Sequence, residues 1–194
     1  YFNWEAFRCY REAIKSLKML PDTDENRRRV IEISLLIEGP MTVLGYPQDS
    51  LDILLEAEKL SIEQGDKRSL AVLQGRIRLC HTFKGDPKQG LRYTEQCFIT
   101  AESIKDVDLA ASTAFDLAAA YTIAGEHFKI VELVPKALAL LESGGGESIG
   151  TGARINVNVC SSISAFYGYS MANLGHFEEG KTLCEKGLRY ALEI

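Results

Sequence analysis

Gly45, Gly85 and Gly125 are separated by equal intervals of 40 residues (85 − 45 and 125 − 85). That step limits what the chain can fold into more than any other feature. Pro47 and Pro87, Asp66 and Asp106, Leu51 and Leu91, and the small residues Ala57, Cys97 and Ala137 keep the same spacing. A period of this length marks a repeat architecture. Each unit is a helix pair that cannot bury its apolar face alone, so neighbours stack into an αα solenoid. The expected class is all-α, and such arrays usually hold a partner rather than perform chemistry.

Apolar residues recur at helical spacing along the chain, and about nine antiparallel helices are expected. Residues 1–21 read as the second helix of a truncated repeat, with Phe7, Tyr10, Ala13, Ile14 and Leu17 along one stripe. Helix pairs follow over 22–65, 66–105, 106–142 and 153–194. Gly39-Pro40 falls inside the helix expected over about 25–44, where proline removes a donor and crowds the preceding turn, so a bend is predicted there. Pro135 predicts a second kink. Gly45 is placed to cap its helix in the left-handed conformation, and Pro47 to start the next one. Asp22 or Thr23, Asp66 and Asp106 are candidate N-caps. Between Gly125 and Gly175 the step grows to 50, and the surplus matches residues 143–152, SGGGESIGTG, read as an inter-repeat loop. Amphipathic helices reaching both ends give the expectation of a fragment of a larger protein.

A net charge of −5 and a pI near 5.3 disfavour nucleic acid, whose backbone is tracked by clustered Lys and Arg. The one basic run, Arg27-Arg28-Arg29, is flanked by acids and reads as a solvated helix face. Five cysteines with no CxxC pair suit free thiols in a reducing cytoplasm. No segment has the length of apolar sequence that a bilayer needs, so no membrane role is expected. His81, His127 and His176 share no ligand spacing, and no metal or cofactor is expected. GGGESIGTG lacks the lysine and the preceding strand of a phosphate loop. The pairs Glu56/Glu58 and Glu178/Glu179 read as solubilising, and no nucleophile with a positioned base can be found. No catalytic residue is assigned.

In a stacked array the first helix of each pair lines the concave face. Offsets of 13, 10, 9, 6, 3 and 2 residues before each turn glycine select the inward positions. Among these, Glu32, Leu35, Arg76, Leu79, Phe83, Phe115, Asp116, Phe166, Tyr169 and Asn173 are the candidates for a partner-binding groove, with Thr122, Ser162 and Ala165 on the same face. An apolar groove with a few polar groups suits a helix, an extended peptide or a small ligand. The competing reading is that tight winding closes the groove and turns its aromatics into core.

Tyr167-Gly168, Met171, Gly175, Phe177, Gly180 and Gly187 form a signature in the last unit, echoed by Ala118, Tyr121, Gly125 and Ala137 in the one before. This pattern resembles the tetratricopeptide repeat, which implies a right-handed superhelix of helix pairs. Positions that prefer alanine in that family carry Ser50, Gly90, Ile130 and Gly180 here. The segment from Glu32 to Pro47, EISLLIEGPMTVLGYP, is similar to a stretch of bacterial signalling proteins that join a class III nucleotide cyclase to a P-loop ATPase and a helical-repeat tail. The resemblance implies cyclase and ATPase domains upstream. The expected function is a non-catalytic protein-interaction or ligand-sensing scaffold of a bacterial signalling or regulatory protein, whose partner is a protein or peptide, including other domains of the same chain. The alternative is a part of an ATP-dependent cyclase or ATPase whose catalytic domains lie elsewhere. Self-association through exposed apolar faces is a further expectation.

Overall fold

The computed structural model describes residues 2–143 and 151–192. Among the described residues the fold is all-α and of the helical-repeat, solenoid type: α1 (Phe2–Lys18), α2 (Asp24–Leu36), α3 (Glu38–Val43), α4 (Ser50–Gln64), α5 (Lys67–Phe83), α6 (Pro87–Ile104), α7 (Val107–Ala124), α8 (His127–Ser143), α9 (Thr151–Asn173) and α10 (Phe177–Leu192). Most of the expected Gly-rich loop, residues 144–150, lies outside the described residues, and its two ends belong to α8 and α9. The chain divides into two compact units, Tyr1–Thr100 and Ala101–Ile194, with the boundary inside α6.

In the first unit the caps stand where short polar side chains precede apolar periodicity. Thr23 accepts from the Asn26 N–H at 3.2 Å, and Asp66 accepts from the Ser69 N–H at 3.1 Å. Each satisfies a donor that the helix itself leaves unpaired. α2 packs on α1, α4 and α5, and the core gathers Phe7, Ile31, Ile37, Met41, Leu54, Leu73 and Ile77. Of the run 27–29, Arg27 bonds Asp22 through two nitrogens at 2.6 Å, and Arg29 pairs with Glu25 at 2.5 Å.

The single bent helix expected over about 25–44 is instead two helices meeting at Ile37. Pro40 has no N–H for the Leu36 carbonyl, so the ladder parts one turn earlier. Ile37 and Met41 are fully buried, and their burial holds both halves in place. The Leu35 carbonyl at this break accepts a hydrogen bond from the Arg76 guanidinium of α5.

Gly45 adopts φ +69° as expected, but Tyr46 follows it at φ 58°. The Tyr46 ring is buried, 5.4 Å from that of Phe83. Seating that ring turns the chain, so residues 47–49 form a turn and α4 starts at Ser50 rather than at Pro47. Pro87 does open α6.

In the second unit α7 packs on both α8 and α9, and α9 packs on α8 and α10. Asp106 caps α7 by accepting from the Leu109 N–H at 3.1 Å. Ala110, Ala111, Ala114 and Ala118 are buried, and such small side chains let helix axes approach closely. α8 runs through Pro135 as one helix.

Candidate functional site

α7 and α9 lie side by side in the second unit, and an open groove of about 470 Å³ runs between them. Its walls are Phe115 and Thr122 from α7, and Ser162, Ala165, Phe166 and Tyr169 from α9. All six occupy the inward offsets counted from the turn glycines. The helical period brings Ser162, Ala165, Phe166 and Tyr169 to one face because they are spaced by three, one and three residues.

The Phe115 and Phe166 rings meet at 6.0 Å in a tilted arrangement, within the range of favourable aromatic pairs. Tyr169 stands edge-on to His127 at 5.7 Å, and His127 Nδ1 lies 3.3 Å from the Ser170 hydroxyl. The Thr122 hydroxyl donates to the Ala118 carbonyl within its own helix, which leaves little polar character directed into the groove. Phe115 is 38% exposed and Tyr169 51% exposed, so neither is core. Among the described residues no charged side chain lines the groove.

The other sequence candidates divide differently. Asp116 is half-buried on α7, and Asn173 is exposed with its amide donating to the Tyr169 carbonyl at 2.8 Å; neither lines the groove. In the first unit Phe83 is 59% exposed, Leu35 and Leu79 are half-buried, and Glu32 is exposed. Glu32 lines a separate groove between α1 and α2. Arg76 is engaged structurally. It bonds the Leu35 carbonyl and pairs with Glu38 at 2.8 Å, with 16% of its side chain exposed. Burial pulls its guanidinium below the ordinary arginine range, and Glu38 opposes that shift.

Glu58, expected to be solvent-facing, is half-buried and accepts from the Tyr93 hydroxyl at 3.3 Å. Tyr93 in turn stacks on His81 at 5.5 Å. Its neighbour Glu56 pairs with Lys18. The sequence pattern missed Glu58 because periodicity assigns a face to a helix, while α6 decides whether that face is covered. Burial pushes the Glu58 carboxyl above its ordinary value of 4.5, and hydrogen bonds from Tyr93 and Gln74 partly offset this. The folded state therefore holds this proton more tightly than the unfolded chain, and the contribution of Glu58 to stability falls as pH rises through that range. Glu58→Gln is expected to raise the unfolding free energy obtained from urea titration at pH 7 by less than about 1 kcal/mol, given partial exposure, and to change nothing below pH 4. A variant equally stabilised at both pH values would contradict this.

Among the described residues no group of three or more His, Cys, Asp or Glu side chains is placed to hold a metal ion. No helix there is long and apolar enough to cross a membrane.

No family model and no curated protein matches the chain. Among solved structures, BtubC (BKLC) from P. vanneervenii superposes with a TM-score of 0.70 at 15% sequence identity, covering 96% of this chain and 74% of that one. At that identity the likeness concerns the fold alone.

Proposed function

We propose that this chain is a non-catalytic, tetratricopeptide-like scaffold that binds a protein or peptide segment through the α7/α9 groove, as an interaction or sensing region of a bacterial signalling protein. The observation that carries this reading is the groove's lining. Three partly exposed aromatic rings from neighbouring helices face an open channel, with no charged side chain among its described lining residues. Water is a poor partner for that surface, and partly exposed aromatics gathered in one groove are typical anchors for apolar side chains of a ligand. The absence of charge favours a segment that presents leucine- or phenylalanine-type residues over an acidic or basic tail. All five cysteines are free, which supports a reducing, cytoplasmic setting.

Affinity capture with the whole chain tests the reading, comparing the unaltered protein with Phe115→Ala and Tyr169→Ala. Because both rings are partly exposed, helicity by circular dichroism is expected to persist, while recovery of the specific partner falls about tenfold. Equal recovery by both variants would remove the groove from the function. Titration with ATP and Mg²⁺ addresses the nucleotide-dependent alternative, for which saturable binding would be required.

A further inference from the structure

We infer that His127 is a positioning residue of the α7/α9 groove, holding the Tyr169 ring in the orientation that a bound segment would meet. The inference rests on the reading of that groove as a binding surface, and it adds a residue that is not among the groove's walls.

His127 is where the chain departs from its own repeat. The residue two places after the turn glycine is Pro47, then Pro87, then His127. Pro87 opens α6 as His127 opens α8, and proline suits that place because its φ is preset and a first-turn N–H has no acceptor within the helix. Histidine brings neither advantage. Two positions of the next first helix in the chain depart with it. Six and five residues before the turn glycine stand Leu79 and Cys80 in α5, Ala119 and Ala120 in α7, and Tyr169 and Ser170 in α9. The three exceptions meet: His127 stands edge-on to the Tyr169 ring at 5.7 Å, and its Nδ1 lies 3.3 Å from the Ser170 hydroxyl.

Each contact has its own task. Ser170 is fully buried, yet burial alone does not call for a histidine, because the buried hydroxyls of Ser34, Ser50, Ser61 and Ser164 have no hydrogen-bond partner among the described residues. The Ser170 hydroxyl anchors one nitrogen of the imidazole, and a ring fixed at that edge presents a constant face to Tyr169. Among the described residues no other aromatic ring stands against that of Tyr169. A favourable aromatic pair shifts a rotamer equilibrium by about two- to tenfold, which makes one orientation dominant. Ordering a free side chain opposes association, so a ring that is already placed raises affinity without adding a contact to the partner.

Nuclear magnetic resonance of the uniformly isotope-labelled whole chain tests this without a ligand. The χ1 rotamer of Tyr169 is read from three-bond couplings of its Cγ to the backbone nitrogen and carbonyl carbon, with the signals assigned by their loss in Tyr169→Phe. One rotamer is expected to dominate in the unaltered protein. His127→Pro restores the residue of the preceding repeats, so thermal unfolding should be unchanged or slightly raised, while the ratio of major to minor rotamer falls about threefold or more. Ser170→Ala acts on the ring through the imidazole anchor, leaves the start of α8 as it is, and should lower that ratio about twofold. A single rotamer kept after either substitution would overturn the inference, as would averaged couplings in the unaltered chain. Equal partner recovery by Phe115→Ala and Tyr169→Ala would remove the binding reading and leave these couplings unaffected, so the two failures are distinct.

Discussion

Gly168→Ala is expected to loosen the α9/α10 pair and destabilise the protein by about 2 kcal/mol, although alanine is the better helix former. A methyl at Gly168 would sit 2.5 Å from the Gly180 carbonyl oxygen, 2.5 Å from Cys184 Sγ and 2.9 Å from the Cys184 nitrogen. Two of these atoms are backbone, so no rotamer change clears the space and the helices must separate. The contact is reciprocal: a Cβ on Gly180 would lie 2.6 Å from the Gly168 carbonyl oxygen. Helix propensity returns about 1 kcal/mol, which the overlap exceeds. Gly75→Ala is the control. Its nearest neighbour would be Cys97 Sγ at 3.7 Å, an ordinary contact, so this variant is expected to be neutral or stabilised by up to about 1 kcal/mol. Thermal unfolding of the two variants checks the contrast. A shift for Gly168→Ala no larger than that for Gly75→Ala would mean that α9 and α10 are not in such close backbone contact.

Arg76→Ala is expected to cost about 2 kcal/mol, because it leaves two polar groups unanswered at once. The Leu35 carbonyl at the α2/α3 break loses its donor, and Glu38, with 32% of its side chain exposed, loses its cation. Removing one member of a largely buried pair is worse than removing both, since the survivor keeps its desolvation penalty. Arg76→Met with Glu38→Leu should therefore be more stable than Arg76→Ala alone. A double-mutant cycle on urea midpoints measures the coupling. Additive effects would show that Arg76 acts through packing of its aliphatic stem.

Much of this architecture is legible in the residues because its signals are local. Thr23, Asp66 and Asp106 cap helices, and Gly45 and Gly125 take left-handed φ at the turns, each for reasons contained within a few residues. The groove candidates separate along a different line. Phe115, Phe166 and Tyr169 converge because they stand 10, 9 and 6 residues before the turn glycines Gly125 and Gly175, positions that all fall on the inward faces of two neighbouring helices. Arg76 shares the offset of Phe166, nine residues before its turn glycine, yet it is drawn into a contact created by the break between α2 and α3. Glu58 reads as a surface residue until α6 brings Tyr93 over it.

The spacing of glycines and the apolar periodicity alone determined that the chain is all-α, where most helices begin and end, and which faces turn inward. These follow from backbone sterics, capping and hydrophobic burial acting over one or two turns. Only the tertiary structure decided that α2 and α3 are separate helices, that Arg76 is tied to Glu38, and that the aromatic groove stays partly open. Those outcomes depend on which groups lose water against which neighbours, and that is settled when helices distant in sequence come into contact.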